Sequence, residues 1–255
     1  MTYGNQISDL RTLAHMEIRK AFDFMKEGFK NIESRFQEAR EYEEEFKYYI
    51  EKLKKDPSIT EEKTPRGKEF REMLEKIDIV ARMYEFANNQ QEVAYRMTHV
   101  FIISVYEAFI RSTYKIILNK DKTLLVNKKP SEKLNEIANV DALHKFMNDD
   151  FKTDISSFPG WSVLREGFYR RHVIIHHHGI FSERYRRKMN CPASLVGIEF
   201  KTDFKYIENL KDSMIDFIAH LSTQILMHFS WGITGRARTA PEIIEKIKNN
   251  SHFLR

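Results

Sequence analysis

Residues 170–187 read RRHVIIHHHGIFSERYRR, three consecutive histidines and a fourth four residues earlier, set between two arginine clusters. An imidazole, with an ordinary pKa of about 6.5, can give or take a proton near neutral pH, or bind a metal ion through an unprotonated nitrogen. Three kinds of chemistry fit this pattern. His172 and His176 are four residues apart and would share one helix face, which is the spacing of a two-ligand zinc site. Against it, the neighbouring arginines oppose a cation, no Glu follows His172 in the metalloprotease manner, and no third ligand is evident nearby. The plainest reading makes the histidines a helix end that interacts with the negative end of the helix dipole. The third treats Arg171, His176 and Gly179 as one constellation, R-H-V-I-I-H-H-H-G.

That constellation resembles the Arg-polar-x-x-x-His motif of the HEPN superfamily (higher eukaryotes and prokaryotes nucleotide-binding), with His172 as the polar residue. The following HHHGIFSERYRRKM is similar to the defence-associated branch, in which the motif continues into a Gly-hydrophobic-hydrophobic segment and a basic, Tyr-containing helix. FIISVYEAFIRSTY, 101–114, is similar to the family's earlier core helix, and the resemblance covers residues 95–232. It implies a metal-independent endoribonuclease without a cofactor, acting as a homodimer in which two motifs meet across a symmetry axis. It also implies a toxin or effector of prokaryotic defence, restrained or triggered by an antitoxin or defence-system partner protein. A HEPN bundle can alternatively serve as a non-catalytic nucleotide-binding or protein-interaction module.

RNA carries its own nucleophile, the 2′-hydroxyl, so its cleavage needs proton transfer and charge stabilisation and in principle no metal. In this reading His176 moves the proton, Arg171 stabilises a non-bridging phosphate oxygen, and His172 positions the phosphate or His176. Arg171 and His176 are five residues apart, so they point about 140° from each other on an ideal helix. The long arginine side chain, or a distorted helix end at Gly179, must then bring them together.

Glu107 stands in an apolar stretch and needs a partner. It is either an orienting carboxylate for the motif or a member of an ordinary ion pair. Arg170, Arg184, Arg186, Arg187 and Lys188 are candidate phosphate-backbone contacts, with a solvated basic face as the alternative. Tyr185, and with it Tyr169, can stack on a base, although aromatic residues at helical spacing commonly fill cores.

The elements that must position these residues are helical throughout. From Ile7 to Lys54 an apolar pattern (Leu10, Leu13, Ile18, Phe22, Phe29, Ile32) predicts one long amphipathic helix, and DPSITEEKTPRG, 56–67, predicts a loop. Residues 68–119 predict two helices or one bent helix, with NNQQ at 88–91 as the division. Further helices are expected over Ser131–Asp149 with Ser131 as N-cap, Trp161–His177 ended by a left-handed Gly179, Asp203–Trp231, and Pro241–Asn249. SSFPG, 156–160, predicts a turn and RRKMNCPAS, 186–194, a loop.

The composition agrees with an all-α protein: nine Gly and six Pro in 255 residues leave few turns for a sheet. The resulting expectation is a HEPN-type helical bundle with a long N-terminal helical hairpin. Its organisation is an extension over 1–94, a core over 95–232, and a short helix and tail over 233–255. The net charge of +5 is concentrated in residues 165–188, where seven cations face two carboxylates, and suits a polyanion partner. One cysteine excludes an intramolecular disulfide and fits a reducing, cytoplasmic setting. With no basic leader and VFIISV as the longest strongly apolar run, no membrane association is expected.

Overall fold

The computed structural model describes residues 2–55, 65–120 and 140–232, together with Glu242 and Glu245. The protein is all-α. Helix α1 spans Tyr3–Lys55 and α2 spans Pro65–Lys120, followed by α3 (Val140–Phe151), α4 (Trp161–His176), α5 (Glu183–Met189) and α6 (Phe204–His228). The chain forms two compact units, one of residues Phe24–Tyr95, the other of residues up to Asp23 together with those from Arg96 onward.

In the unit that carries the histidines, burial follows the helical repeat. Ile7, Ala14, Ile18 and Phe22 of α1 are buried, as are Ile102, Ile103, Tyr106, Ile110 and Tyr114 of α2. On α6 the buried positions Ile207, Leu210, Met214, Phe217, Leu221 and Ile225 recur every three or four residues, marking a helix with one core face. The Asp203 side chain starts α6 by accepting from the Tyr206 amide at 2.7 Å.

Gly167 lets α4 pack closely: a β-carbon there would stand 2.8 Å from Leu210 Cδ1 of α6. Its carbonyl accepts from Nε2 of the fully buried His99 at 2.8 Å. His99 is stacked on Tyr206, and burial lowers its pKa to about 4. Neutral and bonded through Nε2, it ties α2 to α4.

Two boundaries differ from the sequence reading, and an alternative that it left open is resolved to a single helix. α2 begins at Pro65, because proline at a first helical position gives up no hydrogen bond and has its φ already set. It also runs unbroken through 88–91. The 186–194 loop is helical as far as Met189: the Ser182 hydroxyl caps α5 on the Tyr185 amide at 3.2 Å, and a left-handed Asn190 ends it. A basic helix there is what the family resemblance implied. The expected N-cap Ser131 and most of the Pro241–Asn249 helix lie outside the described residues. Over Tyr84–Lys120, α2 is long and apolar enough to cross a bilayer by length and composition, a property that the short VFIISV run did not reveal. Ile102, Ile103, Tyr106, Phe109 and Ile110 of that segment are buried in the fold.

Candidate functional site

The last two turns of α4 carry the histidine stretch, and their ending is built by several groups together. His177 N and Gly179 N both donate to Val173 O, at 2.9 and 3.1 Å, and two successive residues, His178 and Gly179, are left-handed. The chain then pairs briefly with residues 197–200: Phe181 N donates to Ile198 O at 2.8 Å and Phe200 N to Gly179 O at 2.7 Å. Arg96 of α2 closes the arrangement. Its guanidinium donates to the carbonyls of His178 and Phe200 at 3.3 and 3.1 Å and pairs with Glu199 at 2.6 Å. A cation at the carbonyl end of α4 also complements the helix dipole.

Arg171 and Glu107, separated by 64 residues, meet through Nη1 and Oε1 at 3.0 Å, both largely shielded from solvent. The partner that Glu107 requires is thus the motif arginine. His172 lies one residue on, and its ring stands 4.6 Å from that of His176 and 5.7 Å from that of His177. α4 remains regular through His176, so the helix end does not bend Arg171 and His176 together. His172 lies between them.

A cleft of about 230 Å3 opens here, and Glu107, Phe168, Tyr169, Arg171, His172 and Arg184 contribute to its lining. His176 is exposed and lies outside that lining. Partial burial, together with His176, the Arg184 guanidinium, His177 and Arg171, holds the His172 pKa below the usual histidine value. At neutral pH the cleft therefore contains an uncharged imidazole, able to accept a proton. Among the described residues, no group of three or more His, Cys, Asp or Glu side chains is placed to hold a metal ion.

Two of the residues expected to face RNA are turned inward. Arg170 is paired with Glu166 at 2.7 Å and packed over the rings of Tyr206 and Phe200, at 3.9 and 4.6 Å. Tyr185 is buried and donates its hydroxyl to the same Glu166 at 2.7 Å. With Tyr206 as a further donor, Glu166 receives three side chains and joins α4, α5 and α6. Desolvation and this carboxylate raise the pKa of both tyrosines, which remain donors. Arg170 and Tyr185 thus belong to the scaffold, because their polar ends are already satisfied.

The other basic residues stay nearer the surface. Arg186 and Arg187 share Glu183, at 2.7 and 3.3 Å, while Arg165 and Lys188 share Asp141, at 3.2 and 3.1 Å. Tyr169 also donates to Asp141. The Glu166–Arg170 pair could have been read from its i, i+4 spacing. Asp141, Tyr206, His99 and Arg96 gave no local signal, because each acts on residues 24 or more positions away.

No protein-family model matches the chain, and neither do any curated protein or solved structure.

Proposed function

We propose that the protein is a metal-independent endoribonuclease of HEPN type, cleaving RNA through its own 2′-hydroxyl to leave 2′,3′-cyclic phosphate and 5′-hydroxyl ends. The observation that carries this reading is that Arg171, held by Glu107, and His172 line one cleft, with the exposed His176 ring 4.6 Å from that of His172. Arg171 stabilises the charge that develops on the phosphate in the transition state. The imidazole pair supplies proton transfer, His176 as the motif histidine and His172 as its neighbour on the cleft side. In this reading one imidazole takes the 2′-hydroxyl proton and the other protonates the departing 5′-oxygen.

The role as a toxin or effector of prokaryotic defence, with a restraining antitoxin or partner protein, rests on the resemblance of HHHGIFSERYRRKM alone. A homodimer would set two copies of the motif together. The exposed apolar side chains Ile175, Ile180 and Ile198 beside the histidines are surface that such an association would cover.

A binding module without cleavage would use the same cleft and no proton transfer, and one variant series separates the two. His176→Ala should lose at least about 10²-fold in cleavage, the usual cost of removing a general acid or base, with RNA affinity nearly unchanged. Arg171→Ala should lower both. A folded His176→Ala protein that cleaves at the wild-type rate would end the catalytic assignment.

A further inference from the structure

The positive charge of residues 165–188 is mostly spoken for. Arg165 and Lys188 are held by Asp141, Arg170 by Glu166, Arg171 by Glu107, and Arg186 and Arg187 by Glu183. Arg184 differs: it is exposed, and no carboxylate pairs with it among the described residues. It also lines the cleft that holds Arg171 and His172. We propose that Arg184 and Arg171 form a two-guanidinium cradle for one phosphate group, with His172 beside it, and that this cradle rather than the basic face of α5 is where a phosphate ester is held.

The proposal rests on the cleft read above as a ribonuclease site but concerns binding, not cleavage. A guanidinium offers a planar fork of donors to phosphate oxygens, and an uncommitted one need not first give up a carboxylate. Arg187, by contrast, is 72% exposed and shares Glu183 with Arg186, so it would contribute a screened, long-range attraction. The groups that face His172 are Arg171, His176 and His177 on α4, Arg184 on α5 and the Glu107 carboxylate of α2. A bound anion offsets the cationic neighbours, so it favours the protonated imidazole and binds more tightly as pH falls through the titration of His172.

The test uses the full chain and two probes, a 5′-mononucleotide and a 5′-phosphorylated 2′-O-methyl oligoribonucleotide that lacks the nucleophile. Titration calorimetry should show Arg184→Ala weakening both by at least about tenfold, as expected for loss of a charge-assisted hydrogen bond. Arg184→Lys should recover part of the loss, and Arg187→Ala should change mononucleotide affinity less than about twofold. In the wild type, each probe should shift the His172 ring resonances toward a higher titration midpoint. Equal binding of the probes through Arg184 assigns the cradle to a terminal phosphate, and preference for the oligomer assigns it to a chain diester; both support it. Wild-type affinity in Arg184→Ala, equal losses in Arg187→Ala, or no binding of either probe would overturn it. Cleavage of unmodified RNA is followed alongside. Arg184-dependent binding without cleavage would contradict the nuclease alone, and cleavage with Arg184-independent binding the cradle alone.

Discussion

Among individual residues, similar types carry opposite assignments once their surroundings are known. Arg170 and Arg171 are sequence neighbours, yet the first is packed over two aromatic rings and the second borders the cleft. Histidines divide in the same way. His172 reaches the cleft, whereas His99 is fully buried, with Nε2 on the Gly167 carbonyl. Burial holds the His99 pKa near 4, below the roughly 6.5 of an unfolded chain. As pH falls, the unfolded state therefore takes up the proton first, and stability is lost progressively from about pH 6.5 down to about 4. The full loss corresponds to about 3 kcal/mol. His99→Gln keeps a donor for Gly167 and does not titrate, so urea denaturation at pH 7 and pH 5 should show a smaller acid loss than in the wild type. Equal acid losses in both proteins would assign the effect elsewhere; His15 and His172, also depressed by burial, act in the same direction.

At the scale of elements, what the sequence made legible was periodicity and capping chemistry within one segment. The apolar repeats of α1 and α6 and the left-handed Gly179 were readable because each depends on residues within a few positions of one another. α5 was mistaken for loop in its second half because seven residues are too few for a hydrophobic repeat, although Ser182 and Asn190 are ordinary caps. The ties between elements were not legible: Arg96 to the end of α4, Glu166 to Tyr206 and Asp141 to Tyr169 are set by tertiary packing. Gly179 combines both scales. Its φ of +81° disfavours a side chain, and a β-carbon would stand 2.7 Å from Arg96 Nη1. Gly179→Ala should cost about 1–3 kcal/mol in chemical denaturation, and it should lower RNA cleavage more than RNA binding, because it disturbs the end of α4 that holds His176. An unchanged denaturation midpoint would show that the Arg96 contact yields freely.

For the molecule as a whole, the candidate site falls within one compact unit, assembled from α2, α3, α4 and α5. Sequence reasoning could name Glu107, Arg171, His172 and His176 from residue type and spacing, but not that His172 rather than His176 would line the cleft. That outcome depends on where α2 and α5 lie beside α4. Two copies of a 30.5 kDa chain associating near the histidines would bring two such sites together, so light scattering at micromolar concentration should give twice the chain mass. A strict monomer with full activity would exclude that assembly. The proposed activity is cleavage of RNA by these side chains without a metal. It is tested most directly by incubating the purified protein with mixed RNA in excess EDTA and identifying the new chain ends. Cleavage that persists and leaves 2′,3′-cyclic phosphate and 5′-hydroxyl ends is the predicted result; loss of cleavage on chelation, restored by a divalent ion, would contradict it.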